Sequence, residues 1–186
     1  MLPVMSETGL PDTRRILLLR GVNVGGMKLP MAGFREMLSG LGLEGVKTHV
    51  QSGNAVFRTE GDPLPAIAAG LRERFGLTPA LFLYDLPGYR RILSGNPYAE
   101  AGRADGAKVH IFFLAHPAPE TDLDAAMAFA APGEALSLTD AALYFNAPHG
   151  MGRSKLAEKL PRFLKVTHTA RNQRSAEAIL ALAETL

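Results

Sequence analysis

Arg15-Ile16-Leu17-Leu18-Leu19-Arg20-Gly21-Val22-Asn23-Val24-Gly25-Gly26 begins the stretch that decides the fold, and Gln51-Ser52-Gly53-Asn54 closes it. The apolar run is too short for a helix and is bounded by charge, so it reads as a strand. Its lack of alternation predicts burial on both faces. A glycine-rich loop follows, and Pro30 suits the first turn of a helix. Met31, Phe34, Leu38 and Leu41 then recur at helical spacing, with Gly42 as the stop. Val46 to Gln51 alternates as a second strand. Ser52-Gly53 reads as a two-residue hairpin turn, and Asn54 to Arg58 returns as a third strand.

Outward from there, Asp62-Pro63 caps a helix carrying Leu64, Ile67, Leu71 and Phe75, and Thr78 to Asp85 reads as a fourth strand. That order is βαββαβ, the ferredoxin-like split βαβ unit. Leu86 to Gly95 reads as a connecting helix broken at Asn96-Pro97, with a loop from Gly102 to Gly106. Lys108 to Ala115 is then a strand, Thr121 the cap of a helix through Ala130, and Glu134–Leu138 and Ala141–Asn146 a hairpin turning at Thr139-Asp140. Ser154 to Leu164 reads as a helix kinked at Pro161, Lys165 to Thr169 as a strand, and Asn172 to Thr185 as a closing helix. The expected class is α+β, a tandem duplication of the ferredoxin-like βαββαβ unit with an additional C-terminal helix. The expected divisions are a tail over 1–13, a first half over 14–85, a connection over 86–106 and a second half over 107–186. In this topology one sheet face is left open by its own helices, to be covered by the other half or by a second copy, so a homodimer is one expectation.

Composition excludes more than it identifies. With no cysteine among 186 residues, disulfides, thiolate catalysis and Cys-held metals are ruled out. The five histidines show no metal-ligand spacing, so neither a metal nor any cofactor is expected. No apolar run is long enough to span a bilayer and no leader pattern opens the chain, which suggests a cytoplasmic setting. A formal charge of +2 gives no reason to expect a nucleic-acid partner, and the first strand offers no ring for bases to stack on. Charge is unevenly spread, however. Arg153, Lys155, Lys159, Arg162, Lys165, Arg171 and Arg174 face the single acid Glu158 over 153–174.

Taken with Lys28 and Pro30, the motifs Arg20-to-Gly26, Gln51-to-Asn54, Gly152-Arg153-Ser154-Lys155-Leu156 and Thr169-Ala170-Arg171-Asn172 resemble those of bacterial domain of unknown function family 1697. The resemblance spans nearly the whole chain after the tail. It implies a small cytoplasmic bacterial protein of tandem ferredoxin-like fold, and it implies no activity. Members usually carry Trp after the Arg-Asn pair, where this chain has Gln173.

Two poles of candidate ligand-binding residues emerge. The first strand's exit and the first hairpin share one end of a βαββαβ sheet, which groups Arg20, Asn23, Gly25, Gly26, Lys28, Gln51, Ser52 and Asn54. In the second half the same logic groups Arg153, Ser154, Lys155, Thr169, Arg171 and Asn172. A strand-to-helix glycine loop offers backbone N–H groups and a helix N-terminus to an anion. The glycine spacing matches neither a dinucleotide fingerprint nor a phosphate-binding Walker loop. Two readings therefore stay open: a small phosphate-bearing or otherwise anionic ligand held at these poles, with any catalytic residue unknown, or a non-catalytic interaction module whose motifs are turns and caps.

Overall fold

The computed structural model describes residues 12–49 and 51–186. Residues 1–11 of the expected 1–13 tail, and Val50 of the expected second strand, lie outside them. The architecture is α+β, with two four-stranded antiparallel sheets. Contacts divide the chain into two compact units, one running up to Arg91 together with Ala178–Leu186 and the other Ile92–Glu177.

In the first unit the order is β1 (Arg14–Leu19), α1 (Met31–Gly40), β2 (Glu44–His49), β3 (Asn54–Arg58), α2 (Leu64–Phe75) and β4 (Leu81–Asp85), with strands arranged β2-β3-β1-β4. Strand side chains alternate between faces. Leu17 and Leu19 pack with Phe34, Leu38, Ile67 and Leu71 under the helices. Ile16, Leu18 and Val56, on the opposite face, are also buried, as the unbroken apolar run requires. Pro30 sits one residue earlier than expected, as the N-cap of α1. Met37 rather than Leu41 completes the buried stripe of α1, because the helix ends at Gly40 and leaves Leu41 exposed. Gly76 ends α2 in the left-handed conformation, at φ 66°.

The hairpin between β2 and β3 is not the expected two-residue turn. His49 pairs with Asn54, which makes the loop four residues long. Gly53 is needed there twice over. Its φ is +68°, and a Cβ would overlap Val22 Cγ2 and fall 2.9 Å from Leu19 Cβ.

In the chain between β4 and the next strand, α3 (Leu86–Ser94) is as expected, and α4 (Ala99–Ala104) forms where a loop was expected from Gly102 onward. The second unit then runs β5 (Val109–Leu114), α5 (Leu123–Met127), β6 (Ala135–Leu138), β7 (Ala142–Asn146), α6 (Lys155–Lys159) and β8 (His168–Asn172), ordered β6-β7-β5-β8. The closing helix α7 (Gln173–Glu184) passes from the second unit into the first. Phe112, Leu114, Leu143 and Phe145 pack beneath Leu156 and Leu160. Val109, Ile111 and Phe113 fill the opposite face.

Local departures have local causes. Asp122, not Thr121, caps α5 by accepting from Ala125 N at 2.9 Å; the Thr121 hydroxyl is buried with no partner among the described residues. Thr139 pairs with Ala142, so the hairpin turns one residue later than expected, at Asp140-Ala141. Pro161 ends the α-helix, since it lacks the N–H that α-helical bonding needs, and Leu160–Arg162 continues as a 3-10 turn. The last strand lies three residues later than expected. Of Lys165, Val166 and Thr167, only Val166 turns into the core.

Candidate functional site

At the exit of β1, the chain from Arg20 to Pro30 is anchored at both ends and bowed outward between. Val22 and Leu29 are each 2% exposed and belong to the core, whereas Val24 between them is 67% exposed. Asn23 is the one described non-glycine residue with positive φ, at 57°, a conformation asparagine tolerates better than most. Its side chain then does the work of a brace. Oδ1 accepts from Leu29 N at 2.8 Å, and Nδ2 donates to Leu29 O at 3.0 Å and to Gln51 O at 2.5 Å. Its backbone N–H donates to Met27 O at 2.6 Å. One side chain thus closes the loop and ties it to the hairpin of β2 and β3.

The result is an open cleft of about 560 Å³ lined by Asn23, Gly25, Gly26, Lys28 and Gln51, with Met27, Leu29 and Pro30 as its apolar members. Gly25 and Gly26 hold φ of 65° and 120°. The backbone N–H groups of Gly25, Gly26 and Lys28 donate to no other described residue, those of Val24 and Met27 close successive turns, and Lys28 is exposed and forms no ion pair with a described residue. A set of free donors beside an unpaired cation is a setting for an anion.

The other expected members of this pole have different places. Arg20 is exposed, and its backbone N–H bonds to Ala80 O at 3.0 Å. Asn54 is fully buried, and its Nδ2 donates to His49 O at 3.1 Å and to Ser52 Oγ at 3.0 Å, bracing the hairpin from inside. Asn54 and Ser52 support the cleft wall and do not line it.

A family model described as "Protein of unknown function (DUF1697)" matches residues 13–144. The chain belongs to that family. No curated protein matches it. Among solved structures, the conserved bacterial protein SP0830 from Streptococcus pneumoniae is similar over 92% of this chain and 98% of its own, with 24% identity and a TM-score of 0.64. At that identity the likeness is one of fold.

The DUF1697 chain's second pole is built differently. Ser154 Oγ accepts from Ala157 N at 3.0 Å and Asn172 Oδ1 from Ser175 N at 2.9 Å, so both residues cap helices. Arg171 is 8% exposed and donates through Nη1 to Thr169 Oγ1 at 2.9 Å and to Ala170 O at 2.7 Å. Thr169 is itself buried. Only Arg153 and Lys155 of this group are exposed.

Sequence reasoning missed the buried polar cluster at the start of α7. Gln173 is 2% exposed, and its Oε1 accepts from Asn96 Nδ2 at 3.0 Å. Its Nε2 donates to Ala99 O at 3.2 Å and to Glu177 Oε1 at 2.7 Å. Gly102 makes the room, because any Cβ there would overlap the Gln173 amide. The glycine in the middle of α4, read as a loop signal, was the one available hint. Among the described residues no group of three or more His, Cys, Asp or Glu could hold a metal, and no helix is long and apolar enough to cross a membrane.

Proposed function

We propose that this protein binds a small phosphate-bearing or otherwise anionic ligand in the cleft between the Asn23–Pro30 loop and the Gln51 hairpin. The observation carrying this is the set of unengaged N–H groups at Gly25, Gly26 and Lys28, held in an opened loop by Asn23. Lys28 supplies the charge, the loop amides the directional bonds, and Gln51 a neutral polar contact. The apolar lining of Met27, Leu29 and Pro30 accommodates an apolar part of the same ligand. The frame is a tandem pair of ferredoxin-like units with a further C-terminal helix, a reading supported by the strand orders β2-β3-β1-β4 and β6-β7-β5-β8. Absence of cysteine and the bacterial origin of the similar solved structure support a cytoplasmic bacterial protein.

A thermal-shift screen with inorganic phosphate, sulfate, nucleotides and sugar phosphates tests it. A true ligand at a hundred times its Kd stabilises by about 2.7 kcal/mol. Lys28→Ala, which removes a charge-assisted contact, weakens that ligand by about tenfold or more. No shift with any anion, or a shift that Lys28→Ala leaves intact, contradicts the proposal.

A second reading has its own support. Asn54, Ser154 and Asn172 are committed to turns and caps and Arg171 is buried, as in a non-catalytic interaction module. If Arg171→Ala costs several kcal/mol while no anion changes stability, and sedimentation shows a dimer, that reading is the better one.

A further inference from the structure

A second surface, separate from the cleft, lies on the second unit. Arg153, Lys155, Arg162 and Lys165 are exposed over the run through α6 and its 3-10 continuation. Lys159 donates to the exposed Glu158 carboxylate at 2.5 Å, and with Arg162 and Lys155 it holds that carboxyl below the usual glutamate range. Lys159 is the cation that pairs with the single acid of the segment. An aromatic pair accompanies this segment. Phe129, just past α5, is 40% exposed, and its ring centroid lies 6.1 Å from that of Phe163 at an interplanar angle of 45°. Phe163 falls between Arg162 and Lys165 in the chain. Of the two acids of the α5 turn, Asp122 is committed to its cap and Asp124 sits in the first turn, at the end away from Phe129.

We propose that this surface binds single-stranded nucleic acid, with Phe129 as a stacking platform and Lys155, Arg162 and their neighbours along the phosphates. An exposed ring packed on Phe163, within a segment rich in exposed cations, fits both parts of a nucleotide chain, base and backbone, and asks for no particular sequence. An acidic polypeptide would satisfy the cations and leave the ring unused. The small net charge and the lack of rings on β1 do not bear on this surface, which lies on helices and turns.

The test is fluorescence anisotropy of a labelled oligothymidylate and of its RNA counterpart with the full chain. About four phosphate contacts at roughly −0.7 each give a loss of about fiftyfold in affinity between 50 and 200 mM salt. Phe129→Ala, checked for folding by circular dichroism, weakens binding about tenfold at fixed salt, and Phe129→Tyr, which keeps a ring, restores most of it. Arg162→Glu weakens binding and flattens the salt slope. Absence of binding at 50 mM salt overturns the proposal. So does displacement by polyglutamate together with indifference to Phe129→Ala, because the surface is then one for acidic proteins.

Discussion

The two units share a strand order, yet the exits of their first strands differ. After β1 the chain spends ten residues, Arg20 to Leu29, on a glycine-rich bow with a lysine and no carboxylate. After β5 the corresponding segment is Ala115-His116-Pro117-Ala118-Pro119-Glu120-Thr121-Asp122, with two prolines, two acids and no glycine. Ala118 is pulled into the core at 2% exposure, and the segment leads into a five-residue helix rather than the ten residues of α1. The neighbouring hairpins differ in the same sense, with a four-residue loop beside β1 and the tight Asp140-Ala141 turn in the second unit. A strand plan thus fixes where a cleft can be, and loop chemistry decides whether one forms. The second unit places its buried polarity inside instead, around Gln173 and Asn96.

The strongest challenge to that contrast is at Gly53. Alanine there meets both the left-handed backbone and the side chains of Val22 and Leu19. The expected loss is about 2–4 kcal/mol, measured by urea unfolding. A loss below about 0.5 kcal/mol would mean that the hairpin does not abut the β1 exit. Next comes Asn23→Ala, which removes the bonds to Leu29 and Gln51 and should cost about 1–3 kcal/mol. It should also abolish any anion response, and Asn23→Gly, which restores only the backbone freedom, should recover stability in part and binding not at all.

The smallest effect compares how the two first strands begin. Asp12 precedes β1 and bonds Arg14, which holds its carboxyl below the usual aspartate range; Asp105 stands before β5 near Lys108. A depressed folded pKa contributes stability that is present above the unfolded value and lost as pH falls through the folded one. Asp12→Asn should therefore cost less than about 1 kcal/mol at neutral pH, and that cost should vanish in acid once Asp12 is protonated. A pH-independent cost would show that the carboxyl's charge is not what matters.

Much of the fold was legible because hydrophobic period and length agreed. β3 lies at Asn54–Arg58, as read, and the apolar run of β1 is buried on both faces. Less was legible where short elements carry mixed signals. α4 is six residues long with a glycine inside it. Val166-Thr167 is β-branched yet precedes the last strand, so Arg171 is buried within β8 rather than at its exit. Buried arginines are rare, and nothing in a sequence marks one. Of the first pole, the approach of Asn23 to Gln51 followed from topology. That Asn54 would brace the hairpin from within, rather than face a ligand, depends on its burial, which only the packed structure shows.

The most direct measurement is an amide nitrogen–proton NMR titration with inorganic phosphate, followed residue by residue in both units. The account predicts saturable shifts at Gly25, Gly26 and Lys28, with Ala115 to Thr121 unmoved. Saturation centred on Arg153 and Lys155, or no saturable shift in the Val24–Lys28 loop, would contradict it.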